Sequence, residues 1–287
     1  MIQVSSILLI ALILTKMILY PNAKINIGLN ILNKRADGFH ELETLMYPVK
    51  IKDTLIINKA QDRYKKPKLT TDGITIDGNT DDNLIVKAYN ILDNLYNLPP
   101  IDFHLHKTIP FGAGLGGGSA DCAFTITGIN ELCNLNLTIV EMENIASQLG
   151  SDCPFFITNK PAISTGRGEI LNQNKIDLNS FYFAVIIPPI PISTKEAYNL
   201  VTPNKPIYNL EKALKTDINK WKGLIVNNFE DSVFPQYPAI KKIKEKLYNS
   251  GAKYSSLSGS GSAVFGIFKE RPILNDIFPK DYFVWLS

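Results

Sequence analysis

The sequence predicts two domains built from mixed strands and helices. Three observations carry that expectation. The chain has 287 residues, more than one small domain needs and enough for two. Strand-like alternation and helical stripes follow one another along it. The texture then changes after about residue 160, where strand-like segments flank a stretch rich in lysine and asparagine. A boundary placed there gives domains at 17–160 and 161–287.

Composition sets the class. The chain is 45% hydrophobic and 20% charged, enough apolar matter for a real core. Its net charge of +3 makes no strong case for nucleic acid or an anionic membrane as partner. Small molecules are the expected partners, and the sequence leaves monomer or homodimer open. Cys122, Cys133 and Cys153 form no CxxC pair, so neither a zinc site nor a disulfide framework is expected. Reduced thiols point to the cytoplasm, and Cys122 and Cys133 read as core packing beside Ile126 and Ile129.

The elements follow in order. Ile7 to Leu14 is an unbroken apolar run, far short of the roughly 20 residues of a membrane span. No basic residue precedes it, as a secretory signal requires. Met17 opens "MILYPNAKINIGLNI", so residues 1–16 are expected to lie outside the working protein. Ile18 to Ile31 reads as a strand, and Val49 to Ile57 as another. A helix is expected from Asp82 or Asn83, with Leu84, Ala88, Ile91, Leu92 and Leu95 on one face and Pro99-Pro100 closing it. Ile101 to His106 alternates as a strand. A helix follows from Ser119. Thr138 and Glu141 form a capping box, with Met142, Ile145, Ala146 and Leu149 behind it and Gly150 as the stop. A helix from Pro238 to about Ser250 turns Ile240, Ile243 and Leu247 inward. The segment 254–268 reads as strand, Gly/Ser turn and strand.

Four motifs carry chemistry. Pro110 to Ala120, "PFGAGLGGGSA", puts five glycines in eleven residues between a strand and a helix. Glycine lets backbone amides crowd toward an anion, and the helix points its own amides at the same place. No Gly-Lys-Ser/Thr follows, so this is not a Walker loop, and no acidic residue stands where a dinucleotide fold wants one. Lys24 lies in an otherwise apolar strand, so it is expected to be partly buried and oriented; a surface lysine on an edge strand is the plain alternative. Asp152 in "LGSDCPFF" could be a base or metal ligand, although the peptide alone favours a turn aspartate. "LSGSGSAVFGIF", Leu257 to Phe268, reads equally as a phosphate lining or a hairpin.

In this order and spacing the motifs resemble those of the GHMP kinases. The glycine loop is similar to that family's second motif, "SGSGSAVFG" to its third, and "KRADGFHEL" to a member acting on a cytidine diphosphate alcohol. The resemblance runs from about Met17 to about Phe268. It implies an α+β, two-domain fold: a ribosomal protein domain 2-like N-terminal domain and a ferredoxin-like C-terminal domain. It also implies transfer of the ATP γ-phosphoryl group to the 2-hydroxyl of a methylerythritol moiety. Lys24 and Asp152 would be the catalytic pair, with Asp152 as base. Pro110, Phe111, Gly112, Ala113, Gly114, Leu115, Gly116, Gly117, Gly118, Ser119 and Ala120 would hold the phosphates, with Mg²⁺ bridging them. Asn26, Phe39, His40 and Tyr198 would form the cytidine side, His40 on the cytosine edge and Phe39 and Tyr198 on its faces. Three positions depart from the common pattern: Ala120 replaces a serine, Asp121 an asparagine and Phe39 a tyrosine.

Overall fold

The computed structural model describes residues 16–60, 67–75, 78–204 and 206–287. Residues 1–15, most of the segment expected to fall outside the working protein, are not among them. In chain order the strands are β1 (Lys16–Leu19), β2 (Asn22–Lys34), β3 (His40–Lys52), β4 (Thr54–Lys59), β5 (Lys68–Gly73), β6 (Ile101–Lys107), β7 (Ala162–Thr165), β8 (Ile170–Gln173), β9 (Tyr182–Ile187), β10 (Tyr254–Leu257), β11 (Val264–Phe268) and β12 (Phe283–Leu286). The helices are α1 (Leu84–Tyr96), α2 (Gly117–Leu132), α3 (Ile139–Ser147), α4 (Phe155–Thr158), α5 (Thr194–Leu200), α6 (Leu210–Leu214), α7 (Glu230–Gln236) and α8 (Pro238–Asn249). None of the helices among the described residues is long and apolar enough to cross a membrane.

Two of the expected strands are each split. Ile18 to Ile31 breaks at Tyr20-Pro21 into β1 and β2, because proline has no amide to give a ladder and its carbonyl instead accepts the Asp53 amide. Val49 to Ile57 breaks at Asp53, the junction of β3 and β4, where the carboxylate is fully buried and turned to other partners.

The chain forms two compact units. The first takes the described residues up to Ala23, Ile51–Phe111 and Gly117–Asn159. Its sheet runs β1-β4-β6-β5, antiparallel except for β5 beside β6. Leu55 faces Leu105 and Ile57 faces Phe103, so alternate positions present one apolar face to the helices. Gly128 lets α2 lie close on that face, since a Cβ there would stand 2.6 Å from Ile57 and Leu19 methyls. Asn83 caps α1 by accepting from the Ile85 amide. The helix buries Ile85, Val86, Ala88, Tyr89 and Leu92, whereas Leu95, expected inside, is 59% exposed. The Tyr89 ring packs edge-on against Phe103 within that stripe, and Leu95 stands in the last turn, beyond its last buried residue, Leu92. The left-handed Asn97 ends α1 before the prolines. The Thr138–Glu141 capping box forms as expected at α3.

The second unit takes Lys24–Lys50, Gly112–Gly116 and Lys160–Ser287. It holds two sheets, β2-β3-β7-β8 and β10-β11-β9-β12. Pairing of β3 with β7, Thr44 opposite Ser164, ties the early strands to residues beyond 160. Compactness therefore reaches back across a boundary that is linear in the sequence. Helix α8 buries Ile240, Ile243 and Leu247 in a core with Ala184, Ile186, Val264 and Phe268.

Candidate active site

Within the second unit, Gly112–Gly116 is held by backbone bonds rather than by its own side chains. Gly112, Gly114 and Gly116 have φ of 70°, 80° and 69°, a region open to glycine and costly for other residues. The Lys24 amide donates to the Leu115 carbonyl at 2.9 Å, and the Ala263 amide to the Ala113 carbonyl at 3.1 Å. The Ser258 hydroxyl donates to the Gly114 carbonyl at 2.9 Å. The turn between β10 and β11, which the sequence left open as lining or hairpin, is thus a hairpin turn whose residues grip the loop. The remaining loop residues, Gly117 to Ala120, form the first turn of α2, where free amides and the helix dipole favour an anion.

Lys24 is 3% exposed, a buried lysine and not an edge-strand one. Its Nζ donates to Asn26 Oδ1 at 2.5 Å, while Asn26 Nδ2 donates to Thr44 Oγ1 at 3.1 Å. The asparagine is therefore locked between β2 and β3, and it orients the lysine head. The Asn26 amide donates to Ser258 Oγ at 3.3 Å, which joins Lys24, Asn26 and the glycine segment in one network of the second unit. Asp152 belongs to the first unit. It is half-buried in the turn between α3 and α4, where the Cys153 amide closes on the Gly150 carbonyl.

On the expected cytidine side, His40 and Tyr198 stack with centroids 5.1 Å apart at 25°. Tyr198 is braced edge-on by Phe229 at 4.9 Å. Burial, with Lys34 nearby, lowers the His40 pKa and favours the neutral ring, which can accept a hydrogen bond. Phe39, about half exposed, carries the Arg167 guanidinium over its ring at 4.9 Å. The structure thus brings His40 and Tyr198 together and gives Phe39 a cationic partner.

Sequence reasoning missed Lys107 and Asp53 of the first unit, and saw in Asp121 only a departure from the family pattern. Lys107 Nζ donates to Asp53 Oδ2 at 2.5 Å and to Asp121 Oδ2 at 2.7 Å, with all three side chains buried. Burial pushes the Asp121 carboxyl up to about 7, against the pull of Lys107 and with the push of Asp53. The one signal for them was a charge inside an apolar alternation: Lys107 ends "IDFHLHK", and Asp53 interrupts "VKIKDTLII".

A fold of two α+β units, a glycine loop entering a helix and a buried lysine beside it define a class of small-molecule kinase. The family models for the GHMP kinases N terminal domain and the GHMP kinases C terminal match residues 83–160 and 209–277. The chain belongs to the GHMP kinase family and has its two-domain fold. Within that family it is 46% identical over 268 residues to the 4-diphosphocytidyl-2-C-methyl-D-erythritol kinase of Parabacteroides distasonis, covering 91% of this chain and 97% of that protein. It is 48% identical over 258 residues to the enzyme of the same name from Bacteroides thetaiotaomicron, covering 90% and 94%. A crystal structure of 4-(cytidine 5'-diphospho)-2C-methyl-D-erythritol kinase superposes with a TM-score of 0.71 at 28% identity, over 88% of this chain and 90% of that one.

Proposed function

We propose that this protein transfers the γ-phosphoryl group of ATP to the 2-hydroxyl of 4-diphosphocytidyl-2-C-methyl-D-erythritol, giving the 2-phosphate and ADP in isoprenoid-precursor synthesis. The observation that carries the proposal is the 46% identity across 91% of the chain with a relative of that name. Asp152 takes the proton from the acceptor hydroxyl, a role typically worth about 10²–10⁴ in rate. Lys24, fixed by Asn26, steadies the negative charge that develops. The loop from Pro110 to Ala120 holds the nucleotide phosphates through its amides, and positioning with charge stabilisation supplies the rest. Mg²⁺ needs at most one or two protein carboxylates beside phosphate oxygens, which fits a cation carried on the nucleotide. Bound there, it would neutralise phosphate charge. Asn26, Phe39, His40 and Tyr198 form the cytidine side, with the neutral His40 meeting the base edge. The free thiols at Cys122, Cys133 and Cys153 support a cytoplasmic setting for the reaction.

The test is phosphoryl transfer from γ-labelled ATP to this alcohol beside homoserine and mevalonate. Label in the cytidyl product alone supports the proposal; preference for either other alcohol overturns the substrate.

A further inference from the structure

A buried cluster of three charged groups closes the base of the glycine loop. Lys107 ends β6, three residues before Pro110, and Asp121 opens the second turn of α2, one residue after Ala120. Their ion pair at 2.7 Å therefore joins the strand that enters the loop to the helix that leaves it. Asp53 holds the lysine from the other side, and its second oxygen accepts the Thr108 and Ile109 amides at 2.6 and 2.8 Å. The side chains of Lys107, Asp53 and Asp121 are 1%, 0% and 4% exposed. A Cβ on Gly117 would stand 3.0 Å from Lys107 Nζ and 2.9 Å from Ile109 Cγ2, so the lysine passes directly beneath the first residue of α2. Asp121 Oδ1 is buried and makes no hydrogen bond.

Such a cluster is a poor way to stabilise a core. Apolar side chains of similar volume often do as well as a buried ion pair, and two carboxylates around one ammonium leave an excess negative charge. Its position explains it better. We infer that Lys107 is a positioning residue: through Asp53 and Asp121 it fixes both ends of the phosphate loop, so that the loop amides stand ready before nucleotide arrives. The inference rests on reading that loop as the ATP-phosphate site. Amides already in place cost no reorganisation when phosphate binds or charge develops.

The test uses the full chain and two variants, Lys107→Met and Asp121→Asn. Asparagine keeps the size of Asp121 and leaves Lys107 paired with Asp53, so this variant is the one expected to fold without difficulty. MgATP binding is measured by calorimetry without acceptor, and the KM for the cytidyl alcohol is measured separately. Displacing the loop should weaken MgATP binding by about tenfold in Asp121→Asn and by more in Lys107→Met, with acceptor KM within about twofold. The double variant should be no weaker than Lys107→Met, because the three groups act as one unit. Unchanged MgATP affinity in a folded Asp121→Asn overturns the inference. So does a parallel loss of ATP and acceptor affinity, the mark of general loosening. If Lys107→Met does not fold, Asp121→Asn decides alone. A wild-type chain that does not bind MgATP overturns the phosphate reading of the loop itself, and the inference with it.

Discussion

The carbonyl oxygen of Ser258 occupies the space that a side chain on Gly114 would need. A Cβ there would lie 2.1 Å from that oxygen, and the residue has a φ of 80°. Two independent constraints thus demand glycine at one point of the loop.

Gly114→Ala should therefore force the loop and the β10–β11 turn apart. Strain at a left-handed position is about 1–3 kcal/mol, and the clash adds to it. The expected outcome is a lower melting temperature together with a loss of MgATP affinity of about tenfold or more. A variant that melts and binds like the wild type would contradict the close approach.

Asp53→Ala removes a carboxylate that serves Lys107 and two backbone amides at once. Breaking a buried pair from one side costs about 3–5 kcal/mol, because the remaining partners are left buried and unmatched. Urea unfolding should show a loss of that order. A change below about 1 kcal/mol, the size of an exposed pair, would contradict the burial.

The legibility of the chain divides along the same line. Local signals were sufficient where a side chain answers a neighbour in sequence. The Thr138–Glu141 box, the Asn83 cap and the Ile240, Ile243 and Leu247 stripe all stand as read. The glycine loop was legible because its conformation demands its composition. Asp53 was not, because its partners lie 54, 55 and 56 residues away and nothing near it announces them. Leu95 was misread because helical spacing put it on the buried face, whereas it is 59% exposed in the last turn of α1. The β3–β7 pairing, which draws residues 24–50 into the second unit, is likewise a long-range fact.

Asp121 gives the chain a pH signature. Its carboxyl is pushed up to about 7 from an ordinary 3.8, chiefly by burial. The folded chain keeps a proton that the unfolded chain releases, so this stabilisation is complete below the ordinary value. It is lost as pH rises from about 4 to 7. Asp121→Asn has no such proton. Melting temperatures of both proteins across that window should shift in favour of the variant as pH rises, then level off. A difference that does not change with pH would contradict the raised carboxyl.

Tyr198→Leu tests the cytidine side. The ring stacks on His40 and is braced by Phe229, so leucine keeps apolar bulk and removes the stacking face. Base–aromatic stacking is worth about 1–3 kcal/mol, which predicts a rise of about 5- to 150-fold in acceptor KM with ATP KM unchanged. Equal changes in both constants would place Tyr198 in the core rather than at the substrate.

The most direct test of the central claim is ADP release by the wild-type chain and by Asp152→Asn, with MgATP and 4-diphosphocytidyl-2-C-methyl-D-erythritol. The account predicts acceptor-dependent release by the wild type and a fall of about 10²–10⁴ in the variant, with MgATP binding retained. No acceptor-dependent release by a wild-type protein that binds MgATP would contradict the proposed reaction, and full activity in the variant would remove Asp152 as its base.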